Sequence, residues 1–175
     1  FTRLDSTVTI EGVTIRKMSE ASKKEYLKYY RDSDFRERED MVDNWEKLVD
    51  NEAELSEKLV GIYGDDKEGL KIAVKSFGKL TFQEKTAALK KHQEMVDKAQ
   101  DKESLHKALL QDSVKVHAKD AVNKKIFNAK TAQNHIDWFE KDENHKNEKT
   151  KKQGDYKALK KSHDIFTNKV PDTKN

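Results

Sequence analysis

The sequence predicts a mainly α-helical protein, an elongated antiparallel helical bundle or helical hairpin that begins with a short β-hairpin or a single strand. Charged residues make up 39% of the chain, with one Pro and six Gly, a composition that suits long solvated helices. Leu, Ile, Val and Phe together make up 37 of the 175 residues, so the hydrophobic core is expected to be thin. Strand-like alternation is confined to the first eighteen residues.

The β element is the segment TVTIEGVTIRKM at residues 7–18. Its alternating apolar residues are Val8, Ile10, Val13 and Ile15. The two pairs have opposite parity, which fits either a hairpin that turns at Glu11-Gly12 or one strand with a bulge at Gly12. An isolated two-stranded hairpin is marginally stable in water, so this element should pack on helices of its own chain or pair with a strand of another chain.

Two helices are expected to follow. Ser22 with Glu25 three residues later matches a capping box and predicts the start of a short helix, and Asp34 with Glu37 predicts the start of the next. The second helix carries apolar residues at alternating spacings of four and three, which predicts about three heptads of a coiled-coil seam with Glu52 at the one polar position. The apolar seam residues are Met41, Trp45, Leu48, Leu55, Leu59 and Ile62.

Helix is expected over most of the remaining chain. Asp65-Asp66 should begin a shorter helix that Gly78 ends, and Thr81 with Glu84 forms another capping box. The polar stretch DKAQDKES at 97–104 predicts a turn, with Asp101 or Ser104 as a cap. Neither Gly nor Pro occurs between Gly78 and Gly154, so one long helix from about residue 105 to about residue 142 is predicted to follow.

These elements predict three regions. They are the N-terminal β element at 1–18, a helical domain with long helices at 19–142, and a polar junction with a C-terminal helix at 143–175, which Pro171 stops. The chain begins at Phe1 rather than Met, so we expect a processed form or a fragment; secreted, virion and organellar locations all remain open. No apolar run is long enough to predict a membrane span.

No motif indicates a catalytic, cofactor or metal site. Glu103-x-x-His106 has the spacing of a di-iron ligand pair, and such a site needs a second pair of this kind. The only similar pair, Asp142-x-x-His145, lies in a highly polar segment. His92 lies on an apolar stripe and is expected to be a packed, hydrogen-bonded core residue. We therefore predict no metal and no cofactor, and enzymatic activity stays uncertain and disfavoured.

Charge is unevenly distributed along the chain. Residues 32–68 carry five basic and fourteen acidic groups, whereas residues 144–175 carry nine basic and four acidic groups. The expected basic surface is Lys146, Lys149, Lys151, Lys152, Lys160 and Lys161. Lysine outnumbers arginine 31 to 5 and is interleaved with carboxylates, so a nucleic-acid or anionic-surface binding module is an alternative function rather than the main one.

Arginine and tyrosine cluster near the N-terminus, where both residue types favour an interface with another protein. The predicted interface residues are Val8, Ile10, Val13, Ile15, Arg16, Tyr26, Tyr29, Tyr30, Arg31, Arg36 and Arg38. The function expected from this cluster is a non-catalytic structural or protein–protein interaction component, such as a scaffold or assembly subunit, with a protein partner or a second copy of the chain. A small secreted effector or toxin domain is a further alternative.

Overall fold

A computed structural model describes residues 2–171, and within them the protein is mainly helical, with 72% helix, seven α-helices and one antiparallel hairpin. The hairpin strands are β1 (Thr7–Ile10) and β2 (Val13–Arg16). The helices are α1 (Glu20–Asp32), α2 (Phe35–Tyr63), α3 (Lys67–Phe77), α4 (Phe82–Lys98), α5 (Lys102–Asn123), α6 (Ala129–Glu140) and α7 (Tyr156–Thr167). Short 3₁₀ segments occupy Thr2–Asp5 and Asp142–Asn144. The predicted mainly helical class with a short N-terminal β element is therefore confirmed, and of its two alternatives the hairpin is the one observed.

The chain forms two compact units. The first unit is Phe1–Asp97 and the second unit is Lys98–Asn175. The regional boundaries predicted after residues 18 and 142 are not tested by this division and stay predictions. In the part of the chain that the structure describes, no helix combines the length and the apolar character needed to cross a bilayer.

The N-terminal element is a hairpin rather than a bulged strand. Val8 pairs with Ile15 and Ile10 with Val13, which brings the four apolar side chains to one face of the hairpin. Glu11 and Gly12 form the two-residue turn with φ of +49° and +78°, the pattern of a type I′ turn. The apolar face is used within the first unit, since β2 contacts α3 and Ile15 is buried.

The first unit has its core along α2. The buried positions of this helix advance by about 3.6 residues per turn, the period of a straight α-helix. Of the predicted seam, Leu48 and Ile62 are only half-buried, while Val49 and Tyr63 are buried in their place. A coiled coil is therefore not confirmed, although most seam residues are buried. The buried residues of α2 are Met41, Trp45, Val49, Glu52, Leu55, Ser56, Leu59 and Tyr63.

Most predicted helix starts are confirmed. Asp34 and Glu37 form a reciprocal capping box on α2, and Thr81 and Glu84 do so on α4. Asp101 caps α5 by accepting from the backbone N–H of Ser104 at 2.7 Å.

The predicted cap of α1 is wrong. Ser19 caps this helix by accepting from the backbone N–H of Ser22, and the helix begins at Glu20. Ser22 lies inside the first turn of α1 and is buried. The capping-box pattern identified the correct region but placed the start of the helix three residues late.

The second unit is built from α5, α6 and α7, which contact one another. The single long helix predicted from about 105 to about 142 is wrong, because α5 ends at Asn123 and α6 begins at Ala129. Lys125 adopts a left-handed φ of +61°, and the Ala121 carbonyl accepts from the N–H of Ile126. Asn128 then caps α6 by accepting from the Thr131 N–H at 2.8 Å. A lysine in a left-handed conformation thus ends α5, and an asparagine cap begins α6. Neither step uses Gly or Pro.

The predicted polar junction is an ordered turn. The Asn147 side chain accepts from the backbone N–H groups of Lys149 and Thr150, at 2.9 and 3.0 Å. Gly154 has a φ of +65°, and Asp155 caps α7. The predicted C-terminal helix is present as α7, which ends at Thr167, four residues before Pro171.

Candidate functional site

A groove of about 430 Å³ lies in the first unit and is the candidate site. We call it the tyrosine groove. Its lining residues are Met18, Ser22, Glu25, Tyr26, Tyr29, Leu48, Asn51, Glu52, Thr81, Phe82 and Gln83. Two of its aromatic side chains are unusually exposed for their size, Tyr29 at 61% and Phe82 at 46%. The site therefore combines a cavity with large, accessible apolar groups.

Local helix geometry places the two tyrosines on the groove. Because Ser19 caps α1, Ser22, Tyr26 and Tyr29 follow at spacings of four and three and share one face of that helix. The Ser22 hydroxyl accepts from the backbone N–H of Phe82 at 3.1 Å, which holds the start of α4 beside α1. The groove is thus formed by α1, α2 and the start of α4, and a direct hydrogen bond links α1 to α4.

A buried ion pair lies beneath the groove. Lys85 Nζ is 3.1 Å from Glu52 Oε1, and the two side chains are 0% and 2% exposed. The same carboxylate oxygen accepts from the backbone N–H of Ser19 at 3.3 Å and from the Ser22 hydroxyl at 3.4 Å. Lys85 Nζ also lies 5.5 Å from the centre of the Phe77 ring. One carboxylate therefore connects α1, α2 and α4.

Burial lowers the pKa of Lys85 below its ordinary value of 10.5, and the charge of Glu52 opposes that shift. Lys85 has no exposed side-chain surface, so it cannot contact a ligand. The positive charge of Lys85 and the negative charge of Glu52 offset each other within the core. The charge that the groove presents to solvent comes from Glu25, which is exposed and, within residues 2–171, makes no ion pair.

Several predicted interface residues hold the first unit together. Arg38 donates to the carbonyl oxygens of Tyr30 and Arg31, at 2.9 and 2.8 Å, so it caps the C-terminal end of α1. The Tyr30 ring packs 5.8 Å from Trp45, centre to centre. Arg16 forms ion pairs with Glu20 and, at 3.5 Å, with Asp5.

The other predicted interface residues differ in exposure. Tyr29, Arg31 and Arg36 are exposed, while Tyr26 is half-buried and packs on the core. Burial raises the pKa of Tyr26, with a smaller contribution from the nearby Tyr29. In the hairpin, Val8, Ile10 and Val13 are half-buried and Ile15 is buried. Only Tyr26 and Tyr29 among the predicted interface residues line the groove.

The predicted basic surface lies in the second unit. Lys146, Lys149, Lys151, Lys152 and Lys161 are all exposed. Lys160 is half-buried and forms an ion pair with Asp164 at 2.7 Å, which reduces the charge it can offer to an anion.

A serine, a histidine and an aspartate also meet in the second unit. His163 Nε2 is 2.8 Å from the Ser113 hydroxyl, and His163 Nδ1 is 3.0 Å from Asp164 Oδ1. These distances resemble those of a hydrolase triad. However, Ser113 and His163 are 0% and 1% exposed, so a substrate cannot reach the hydroxyl. The arrangement is a buried hydrogen-bond network.

The residues considered as metal ligands have other contacts. Glu103 pairs with Lys107 at 3.8 Å, and the His106 ring packs on Tyr156 at 5.9 Å. Among the residues described, no three His, Asp or Glu side chains are grouped to hold a metal ion. His92 is buried and its Nδ1 lies 2.6 Å from the Tyr63 hydroxyl, which confirms its prediction as a hydrogen-bonded core residue.

Sequence reasoning missed Lys85 and Phe82. The carboxylate at position 52 of the apolar seam was a visible signal that a buried partner was needed. The apolar stripe of α4 contains Leu89 and His92, and continuing it one turn towards the N-terminus leads to Lys85. Pattern alone could therefore have nominated the pair, whereas the position of Phe82 beside α1 depends on tertiary packing.

Comparisons with protein-family models, with curated proteins and with solved structures find no match for this chain. Its function is therefore inferred from the groove, its charge and its exposed aromatic side chains.

Proposed function

We propose that the protein is a non-catalytic protein–protein interaction component that binds a basic, amphipathic segment of a partner protein in the tyrosine groove. The observation that carries this proposal is the exposure of Tyr29 and Phe82 at 61% and 46% on the edges of one groove. Aromatic side chains dominate the energetics of protein interfaces because they bury a large area with few rotatable bonds.

Charge complementarity supports a basic segment. Glu25 lies on the rim of the groove, and the other charged lining group, Glu52, is already paired with Lys85. The groove borders α2, which belongs to the stretch 32–68 with nine more acidic than basic groups. A partner segment with an apolar side chain for the groove and lysine or arginine beside it complements both features.

The groove is fixed before binding. The ion pair beneath it and the hydrogen bond from the Phe82 N–H to Ser22 hold α1, α2 and α4 together. A rigid surface loses little conformational entropy when a partner binds. The outer edges of β1 and β2, which pair only with each other among the described strands, offer a second contact to a partner strand.

The direct test is a double variant, Tyr29→Ala with Phe82→Ala, compared with Phe35→Ala. Phe35 is 76% exposed in the same unit and does not line the groove, so it controls for loss of an exposed ring. The probe is a fluorescent 18-residue helical peptide of Leu and Lys, with a Leu and Glu peptide of the same pattern as control. We expect the double variant to weaken binding of the lysine peptide at least about tenfold, because hot-spot rings each contribute strongly.

Equal binding of the two peptides, or equal weakening by Phe35→Ala, would contradict the proposal. Light scattering of the unlabelled chain distinguishes a second copy from another protein as the partner. Deletion of residues 1–18 is not a clean test, because Leu4, Ile15 and Met18 are buried in the first unit. Retention on DNA with a steep salt dependence, unchanged in the double variant, would favour the anionic-surface alternative instead.

A further inference from the structure

A second cavity, of about 450 Å³, lies within the second unit and is separate from the tyrosine groove. Its lining comes from α5, α6, α7 and the turn after α7. Val114, Phe139 and Phe166 are its buried lining residues, while Trp138 and Ile165 remain 48% and 54% exposed. The size is within the range of about 300–1,000 Å³ that is typical of small-molecule sites. We call this cavity the aromatic pocket.

The walls of the aromatic pocket are preformed by ring packing. The His135 ring lies 5.0 Å from Phe127 and 5.0 Å from Phe166, centre to centre. The Trp138 ring packs edge-on against the His145 ring, at 5.1 Å from centre to centre. Four of the ten lining residues are aromatic, and aromatic rings pack well against planar apolar groups.

A single charged group completes the lining. Lys169 is exposed, follows α7 and makes no ion pair with any residue in 2–171. No carboxylate contributes to the lining. Burial lowers the pKa of His135 from its ordinary value of 6.5, and the charge of Lys169 lowers it further, so the imidazole is neutral at pH 7. Near neutral pH, the pocket offers one positive charge at the edge of an apolar cavity.

We propose that the aromatic pocket binds a small organic carboxylate with a flat apolar body. The body lies against Trp138 and Phe166, and the carboxylate pairs with the Lys169 ammonium. Asn134 and Thr131 also line the pocket and can donate hydrogen bonds to the same anion. This site does not depend on the proposed peptide groove, since all its lining residues belong to the second unit.

Calorimetric titration of the full chain with 1-naphthaleneacetate and with 1-naphthaleneacetamide tests the proposal. The two probes have nearly the same shape and differ in charge, so their affinity ratio isolates the contribution of the carboxylate. We expect the acid to bind about three- to tenfold more tightly than the amide at low ionic strength, the range of a partly exposed charge-assisted contact. Absence of measurable binding of the acid at millimolar concentration, or equal affinity for acid and amide, overturns the proposal.

Two variants then locate the charge. Lys169→Gln should remove the preference for the acid while leaving binding of the amide within about twofold of the parent chain. Lys161→Gln is the matched control, because Lys161 is an exposed lysine of α7 that does not line the pocket. It should retain the full preference. Persistence of the acid preference in Lys169→Gln overturns the assignment, as does an equal loss in both variants.

Discussion

The tyrosine groove and the aromatic pocket are similar in size, about 430 and 450 Å³, and both have exposed aromatic side chains at their edges. They differ in the sign of the charge that they present. Glu25 makes the rim of the groove acidic, whereas Lys169 is the one charged group of the pocket. In the two proposals, apolar area provides the contact at both sites, and a single rim charge in each distinguishes a basic segment from an organic anion.

The two units differ in how completely they bury an ion pair, since Lys85 and Glu52 of the first unit are 0% and 2% exposed whereas Lys124 and Asp120 of the second unit are 6% and 14% exposed. The first unit buries a complete ion pair, Glu52 with Lys85. The second unit buries His117, His145 and His163, each within hydrogen-bond distance of a serine or a backbone carbonyl. A buried charge left without its partner is far more costly than an unpaired neutral group. Substitution of the buried ion pair in the first unit should therefore lower the free energy of unfolding more than substitution of a buried histidine in the second unit.

The largest effect is expected from Lys85→Met. It leaves the Glu52 carboxylate buried without a counter-charge and should lower the free energy of unfolding by about 3–5 kcal/mol. Urea unfolding followed by circular dichroism measures the loss. Lys90→Met on the exposed side of the same helix is the control and should change the stability by no more than about 0.5 kcal/mol.

Removing both charges should restore part of that loss. In Lys85→Met with Glu52→Gln, the glutamine amide oxygen can still accept from the Ser19 N–H and the Ser22 hydroxyl, and no charge is buried. The double variant should therefore be about 1–2 kcal/mol more stable than Lys85→Met alone. If the double variant is less stable than both Lys85→Met and Glu52→Gln, the unpaired charge of Glu52 is not the cause of the loss in Lys85→Met.

The features of the fold that can be predicted from the sequence are those that neighbouring residues determine, such as turns and helix caps. The caps at Asp34 and Thr81 depend on neighbouring residues and were found from the sequence. The β element was also located, but the sequence left a hairpin and a bulged strand as alternatives. The break between α5 and α6 also has a local signal, Asn128 three residues before Thr131, but the prediction rested on the absence of Gly and Pro and did not use it. The charge pair has a signal in the sequence, the carboxylate at position 52 of the apolar seam, although its partner lies on a separate helix. The position of Phe82 beside α1 has no such signal, because it depends on how two helices pack.

A smaller loss is expected from His145→Leu in the second unit. His145 Nε2 lies 2.7 Å from the Phe139 carbonyl oxygen, and leucine leaves that carbonyl without this donor. The expected loss is about 1–3 kcal/mol, since the group left unpaired is neutral. Amide hydrogen exchange of α6 and α7 measures it locally. Full protection of both helices in the variant would mean that the hydrogen bond does not stabilise the pocket wall.

His135 should make the stability of the second unit depend on pH. Its folded pKa is lowered from 6.5 by burial and by Lys169, so below pH 6.5 the unfolded chain binds more protons than the folded chain. Stability should therefore fall as the pH decreases from 6.5 through the folded pKa. His135→Phe, which keeps an aromatic ring against Phe127, should flatten this dependence between pH 7 and pH 5. An unchanged slope in hydrogen exchange of α6 would contradict this assignment.

The smallest effect is expected at the hairpin turn of the first unit. Glu11 has a φ of +49°, a conformation that asparagine adopts more readily than glutamate and that β-branched residues rarely adopt. Glu11→Asn should raise the free energy of unfolding by about 0.5 kcal/mol, and Glu11→Val should lower it by about 1 kcal/mol. Strand propensity predicts the opposite order, with valine more favourable than asparagine. A type I′ turn and an extended strand predict opposite signs for the stability difference between the Asn and Val variants. Urea unfolding of the two variants therefore distinguishes the turn from the strand. An Asn variant that is less stable than the Val variant would contradict the turn, and with it the apolar face that the hairpin packs on α3.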